Sequence, residues 1–222
     1  MNKLILSAVF AAAVSPAKAV TQVYFTNFES GVLGTEWSGA GSVTTTGGLS
    51  AFGFETLHLM NGGTQSTLLT LIGLAPHTGV TLSFDLAMWD SIDLGGDQFE
   101  VFGGGISLYE SSTDFGNYSP PDNVSHGPGT LLTAAFTAFD QPQYGQSTTF
   151  RDSARTVTFT FPHTGPDLVF DWQFPNSQGS PDESFGLDNV RVTILEIPEP
   201  SASLLGLAAL TAGLRIRRRT KM

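Results

Sequence analysis

The chain has no cysteine and almost no basic residues away from its two ends. Without cysteine there is no disulfide, no thiolate metal site and no cysteine nucleophile, so a folded body must rest on an ordinary hydrophobic core. Of the 10 Lys and Arg, Lys3 and Lys18 lie near the start and Arg215, Arg217, Arg218, Arg219 and Lys221 near the end. Only Arg151, Arg155 and Arg191 stand between, whereas all 20 Asp and Glu fall between Glu29 and Glu199. The span Val20 to Pro200 therefore sets three Arg against 20 carboxylates, a net charge of −17 against −10 for the whole chain. A surface of that sign repels nucleic-acid phosphates and anionic lipid, and it suits solubility and divalent cations. Nucleic acid is excluded as a partner.

Catalytic signatures are also missing. There is no G-x-S-x-G elbow and no H-E-x-x-H. Gly103-Gly104-Gly105 lacks the Lys-Ser/Thr that would hold a nucleotide phosphate. Carboxylates such as Asp97 and Glu183 have the chemistry of a glycosidase pair, but among 20 acids some pair always suggests itself. The expectation is a protein without enzymatic activity, with a glycoside hydrolase as the most distant alternative.

What is present points to strands. Gly (25) and Phe (17) are abundant in 222 residues, a length suited to one all-β domain. Apolar and polar residues alternate over Val23–Phe28, Phe54–Met60, Ser66–Ile72, Val80–Met88, Gln98–Phe102, Leu131–Ala138, Thr156–Phe161, Leu168–Phe174 and Asn189–Ile194. Thr130 to Phe139 also reads as a short helix. The pattern P-H-T-G-x-x-L-x-F-D occurs twice, from Pro76 and from Pro162, each after a strand-like run. Two related hairpins in one sandwich are expected, with Leu and Phe on one side of the second strand. His77 and His163 occupy matching turns, where a metal role competes with that of plain turn residues.

The two ends read as addresses. Lys3, the apolar run Leu4 to Val14 and the A-x-A site Ala17-Lys18-Ala19 form a signal peptide cut between Ala19 and Val20. The body is then 20–196 and the tail 197–222. Ser201 to Leu214 would span roughly 21 Å as a helix, short of a hydrocarbon core of about 30 Å. The Arg cluster holds the far side of this weak span in the cytoplasm, so the body faces outward. Pro198-Glu199-Pro200, a Ser, a Leu/Ala/Gly stretch and the cluster Arg215, Arg217, Arg218, Arg219 together resemble the PEP-CTERM sorting signal, also known as the ice-binding protein C-terminal motif. The resemblance covers about the last 25 residues. It implies export by the Sec machinery, transient inner-membrane anchoring, processing near Pro-Glu-Pro by exosortase, and delivery to the outer surface or polysaccharide matrix of a Gram-negative bacterium. No regular Thr-x-Thr ladder accompanies it, so ice is not implied.

The body resembles a jelly-roll family of secreted bacterial proteins, similar to MAM and carbohydrate-binding-module sandwiches. The residues that carry this are Asn27-Phe28-Glu29 with Trp37, Phe84-Asp85-Leu86 with Trp89-Asp90-Ser91, Asp97 to Val101, and Glu183 to Val190. The fold implied is an all-β, two-sheet antiparallel jelly-roll sandwich, flanked by an N-terminal signal helix and a C-terminal hydrophobic helix. First and last strands lie side by side in such domains. One structural Ca²⁺ held by Glu29 and Asp188 is implied, with Asp188 as a plain loop cap the alternative. The acidic run Asp90 to Asp97 lacks EF-hand spacing and reads as a solvated loop. Binding of extracellular polysaccharide is the main alternative function. Its candidate aromatics are Trp37, Tyr109, Tyr118, Tyr144 and Trp172, near a polar loop at Tyr109 to Pro128. Trp89 and Trp172, in or beside strands, also read as core. The sequons at Asn117 and Asn123 are expected to be idle.

Overall fold

The computed structural model describes residues 18–45, 54, 56–62, 65–90, 98–112, 123–138, 153–175 and 183–197. The signal helix, the apolar tail, Pro198-Glu199-Pro200 and the Arg cluster lie outside the described residues. Val20, the expected first residue of the mature chain, opens the first strand.

Thirteen strands follow: β1 (Val20–Thr26), β2 (Trp37–Gly39), β3 (Ser42–Thr45), β4 (Leu57–Asn61), β5 (Thr67–Leu71), β6 (His77–Asp90), β7 (Phe99–Gly103), β8 (Ile106–Ser112), β9 (Asn123–His126), β10 (Thr130–Ala138), β11 (Ser153–Phe161), β12 (Leu168–Gln173) and β13 (Glu183–Glu196). A seven-stranded sheet runs β10-β11-β6-β13-β4-β3, with β1 also on β13, and a six-stranded sheet runs β2-β5-β12-β7-β8-β9. Every pairing is antiparallel. Among the described residues there is no helix, and Thr130–Ala138 is a strand.

Alternation sorts the side chains. In β6, Val80, Leu82, Phe84, Leu86 and Met88 enter the core between the sheets, as do Val157, Phe159 and Phe161 of β11 and Leu168, Phe170 and Trp172 of β12. The residues between them face outward. Thr81 bonds Thr160 at 2.8 Å and Ser83 bonds Thr158 at 2.9 Å, cross-strand pairs worth roughly 0.2–1 kcal/mol each. Aromatic rings fill the core's centre: Trp37 stacks on Trp172 at 5.5 Å, and the edge of Phe84 and the tilted ring of Phe170 pack on the same indole. A second buried cluster, Phe54, Ala87, Trp89 and Ala154, covers the outer face of the larger sheet. Gly186 is required there, because a Cβ would lie 2.1 Å from Trp89 Cη2.

The P-H-T-G copies are not hairpins. β5 and β12 belong to one sheet, β6 and β11 to the other. Each copy therefore arches from sheet to sheet, which is a correction to the expected pairing. The reason is reach. Five residues (72–76) or six (162–167) are more than a tight hairpin needs, and can span the ~10 Å between packed sheets. The Leu and Phe of both copies face the core as expected: Leu82, Phe84, Leu168 and Phe170 are buried. Four strands, β2, β3, β8 and β9, were not foreseen, and the strand behind Asn189–Ile194 is far longer than its pattern suggests.

The arches lie side by side. Leu71 pairs with Leu168 and Val80 with Phe161, while Leu74 N donates to Pro166 O at 2.7 Å and Gly73 N to Asp167 Oδ1 at 3.1 Å. This turn end also holds the start of β1 and the end of β13, through the pairs Val20 with Leu195 and Glu196 with His77. The β7–β8 turn is there too, since Gly104 N donates to Val169 O at 2.9 Å.

Candidate functional site

Three places gather polar chemistry. The first is the junction in β13 where its edge partner changes. Phe185–Leu187 pair with β4, then Val190–Leu195 with β1, while β6 runs along the other edge. Between them Asn189 takes φ 50, a bulge that the ladder tolerates where pairing changes hands. Asp188 is wholly buried and pairs across the strands with Asp85, so both carboxylates leave the same face. Asp85 accepts from Thr156 Oγ1 at 2.5 Å and from Asn189 Nδ2 at 2.8 Å; Asp188 Oδ1 accepts from Asn189 N at 2.7 Å. Glu29 follows the end of β1, and its Oε1 accepts from Leu57 N at 2.6 Å, at the start of β4. Both strands next to Glu29 thus end at the bulge that carries Asp188.

Hard oxygen ligands of this kind suit Ca²⁺. Among the described residues, however, no group of three or more His, Asp or Glu converges as a metal cluster would. A calcium ion at this junction would draw most of its shell from backbone carbonyls.

The second place is the pair of arches. His77 is buried, and its Nδ1 lies 2.6 Å from Ala75 O while its Nε2 lies 2.9 Å from His163 Nδ1. The rings stack at 5.1 Å. Since Nδ1 of His77 must donate to the carbonyl, its Nε2 accepts from His163 in the neutral pair. Burial, then the neighbouring His77, lower the pKa of His163, partly offset by the Asp167 backbone carbonyl. The two turn histidines of the repeated motif thus bond to each other rather than offering free ring nitrogens to a metal.

The third place is the outer face of the smaller sheet. Gln173, Glu100 and Glu110 stand in one row across β12, β7 and β8. Gln98 Nε2 and Ser107 Oγ both donate to the Glu110 carboxylate at 3.1 Å. Burial and then the Glu110 charge raise the pKa of Glu100. Beside the row, Gln173 Nε2 donates to Asp171 Oδ2 at 2.6 Å, and Asp171 Oδ1 is shielded from water with no hydrogen-bond partner among the described residues. Half-buried Phe102 pairs with Asp171.

Of the aromatics weighed as sugar contacts, Trp37 and Tyr109 are corrected, and Trp172 takes the core place that was its alternative. Trp37, Tyr109 and Trp172 are all buried in the core, because alternation turns them inward. Tyr118 and Tyr144 lie outside the described residues, as does the run 91–97 with Asp97. The side chains of Asp90 and Glu183 are not described either. Part of the expected polar loop is strand, since β8 and β9 pair with each other. Trp89 and Trp172 are fully buried, in agreement with their strand positions.

Two features escaped the sequence reading. Arg155 is buried and donates to Tyr109 Oη at 3.0 Å, tying the two sheets. His58 is buried beside Trp89, at a ring distance of 5.3 Å, and burial pulls its pKa down to about 4. Only their positions in inward or covered rows could have flagged them.

No family model matches the chain, and no curated protein matches it. Among solved structures it is similar to a cyclase from Fischerella sp. TAU, with 17% identity, a TM-score of 0.41 and coverage of 81% of this chain and 100% of that one. It is also similar to the K3 cleaved adhesin domain of Lys-gingipain from Porphyromonas gingivalis w83, with 11% identity, a TM-score of 0.41 and coverage of 78% and 99%. A third likeness is to the CBM2 module of the evolved Dit of Lactobacillus casei BL23 phage J-1, with 10% identity, a TM-score of 0.37 and coverage of 83% and 100%. At such identity and superposition, nothing about ligand or activity passes from these proteins to this chain.

Proposed function

We propose that this chain is an exported, non-enzymatic surface or matrix protein, retained briefly in the inner membrane by its tail and then processed by exosortase. The observation that carries the reading is the order Pro198-Glu199-Pro200, apolar stretch, Arg215 to Arg219, behind a body almost free of basic residues. A short span with a basic stop holds a protein weakly, which is what a temporary anchor needs. In producing cells, pulse-labelled chain should move from the membrane fraction to the surface fraction. Replacing Pro198-Glu199-Pro200 by three Ala should trap it at the membrane, and unchanged release would contradict the reading.

Polysaccharide binding is the second reading, favoured by one observation: the row of Gln173, Glu100 and Glu110 on the smaller sheet's outer face, with Asp171 holding the Gln173 amide. Exopolysaccharide pull-down in the presence of Ca²⁺ should then retain the wild-type body and lose Asp171→Ala. Failure of both to bind removes this reading and leaves a structural coat. A structural Ca²⁺ between Glu29 and Asp188 belongs to either reading. Calcium should raise the melting temperature, and Glu29→Gln, which keeps an acceptor for Leu57 N but loses the charge, should abolish the rise.

A further inference from the structure

We propose that the turn end of the sandwich is a lipid-facing surface that rests against the outward leaflet while the tail is anchored. The inference depends on the anchoring proposed above and adds which part of the body meets the membrane.

The distribution of exposed apolar side chains is its first support. The large hydrophobics exposed among the described residues are Val20 (70%), Phe25, Val32, Ile72 (77%), Ile106 (48%), Val169 and Ile197 (49%). Five of these seven, all but Phe25 and Val32, are at or beside the turn end. Charge is the second. The connections at this end, 72–76, 104–105, 127–129 and 162–167, contain one carboxylate, Asp167, already bonded to Gly73 N; half-buried Glu196 opposite His77 and half-buried Glu36, whose carboxylate accepts from Tyr24 Oη, are the others beside it. β6, β8, β10 and β12 run towards the other end, and the segments that follow them carry Asp93, Asp97, Asp114, Asp122, Asp140, Asp152 and Asp182 against Arg151 alone. A body of charge −17 approaches an anionic leaflet most readily by its less acidic end.

Reach is the third support. β13 ends at Glu196, opposite His77, and only Ile197 to Pro200 separate it from the apolar stretch that starts at Ser201. Four residues extend at most about 14 Å, and two of them are prolines. An anchored tail therefore leaves the turn end within little more than a headgroup layer of the hydrocarbon. At the effective concentration such a short tether creates, a small apolar patch engages lipid that it would not bind from solution.

The absence of cysteine makes the test clean. Full-length chain with Ile72→Cys, Leu210→Cys or Pro175→Cys carries one environment-sensitive fluorophore, in vesicles of phosphatidylethanolamine and phosphatidylglycerol with or without bromine on the acyl chains. Pro175 is exposed at the opposite end of β12. The labels at 210 and 72 should be quenched by brominated lipid, the latter at least twofold more than the label at 175. Quenching at 210, with 72 no different from 175, would leave the anchor standing and overturn the proposal. No quenching at 210 would remove the anchor, and the proposal with it.

Discussion

At one end of the sandwich the connections 72–76, 104–105, 127–129 and 162–167 have two to six residues, while at the other four connections run from eight to fourteen. The short end is tied by the His77–His163 bond and by backbone links between two matched arches, and it carries both ends of the body. The long end carries the acid. Chain order alone does not create this polarity, since every antiparallel strand visits both ends. Where the connections are short, Pro, Gly and the paired His complete the closure. Where they are long, the sequence is acidic, and long connections are where binding residues collect. The two ends therefore differ in kind, with short closed arches at one and long acidic connections at the other.

Substitutions should reveal that difference. The largest effect is expected for Phe161→Ala, which empties core space beneath the arches where the ring meets Phe170 and His163. Urea unfolding should show a loss of about 3–5 kcal/mol. A similar loss for a surface residue of the long end would erase the contrast.

Acid comes next. His58 is neutral in the fold with its pKa lowered to about 4, whereas the unfolded chain takes up a proton near pH 6.5. Its contribution is complete above that pH and is lost as pH falls towards 4, on the order of 3 kcal/mol over the window. Unfolding midpoints from pH 7 to 4 should slope less in His58→Phe than in the wild type. An unchanged slope would show that burial does not govern this group.

The pKa of His163 is lowered as well, so acid acts on it with the same sign. His163→Gln should cost about 1 kcal/mol at pH 7 through the lost inter-arch bond, and hydrogen exchange at Gly73 and Leu74 should quicken. Smallest of all, Asp93→Asn, Asp114→Asn and Asp140→Asn should each stay within about 0.5 kcal/mol by the same urea titration.

Much of the fold was legible because burial imposes a period of two. The runs now seen as β5, β6, β11 and β12 announce themselves by Leu and Phe at alternate positions, and the neighbourhood of first and last strands followed from the family likeness. The arches were not legible, because a Pro-His-Thr-Gly turn looks the same whether the next strand pairs with its predecessor or crosses to the other sheet. Trp37 and Tyr109 misled for a similar reason: an aromatic in a short, polar stretch looks exposed until its partner strand fixes which side is in. The third place, around Asp171, needed cross-strand register as well, since Gln173, Glu100 and Glu110 are brought into one row by pairing and are scattered along the chain. His58 and Arg155 were hidden because a polar residue in a buried row breaks the pattern that would reveal the row.

The central claim concerns the tail, and mass spectrometry of the protein recovered from the surface or matrix of the producing cell tests it directly. The account predicts a mature chain that begins at Val20 and ends near Pro198-Glu199-Pro200, with the apolar stretch and the Arg cluster gone. A recovered chain that still carries Arg215, Arg217, Arg218 and Arg219 would contradict it.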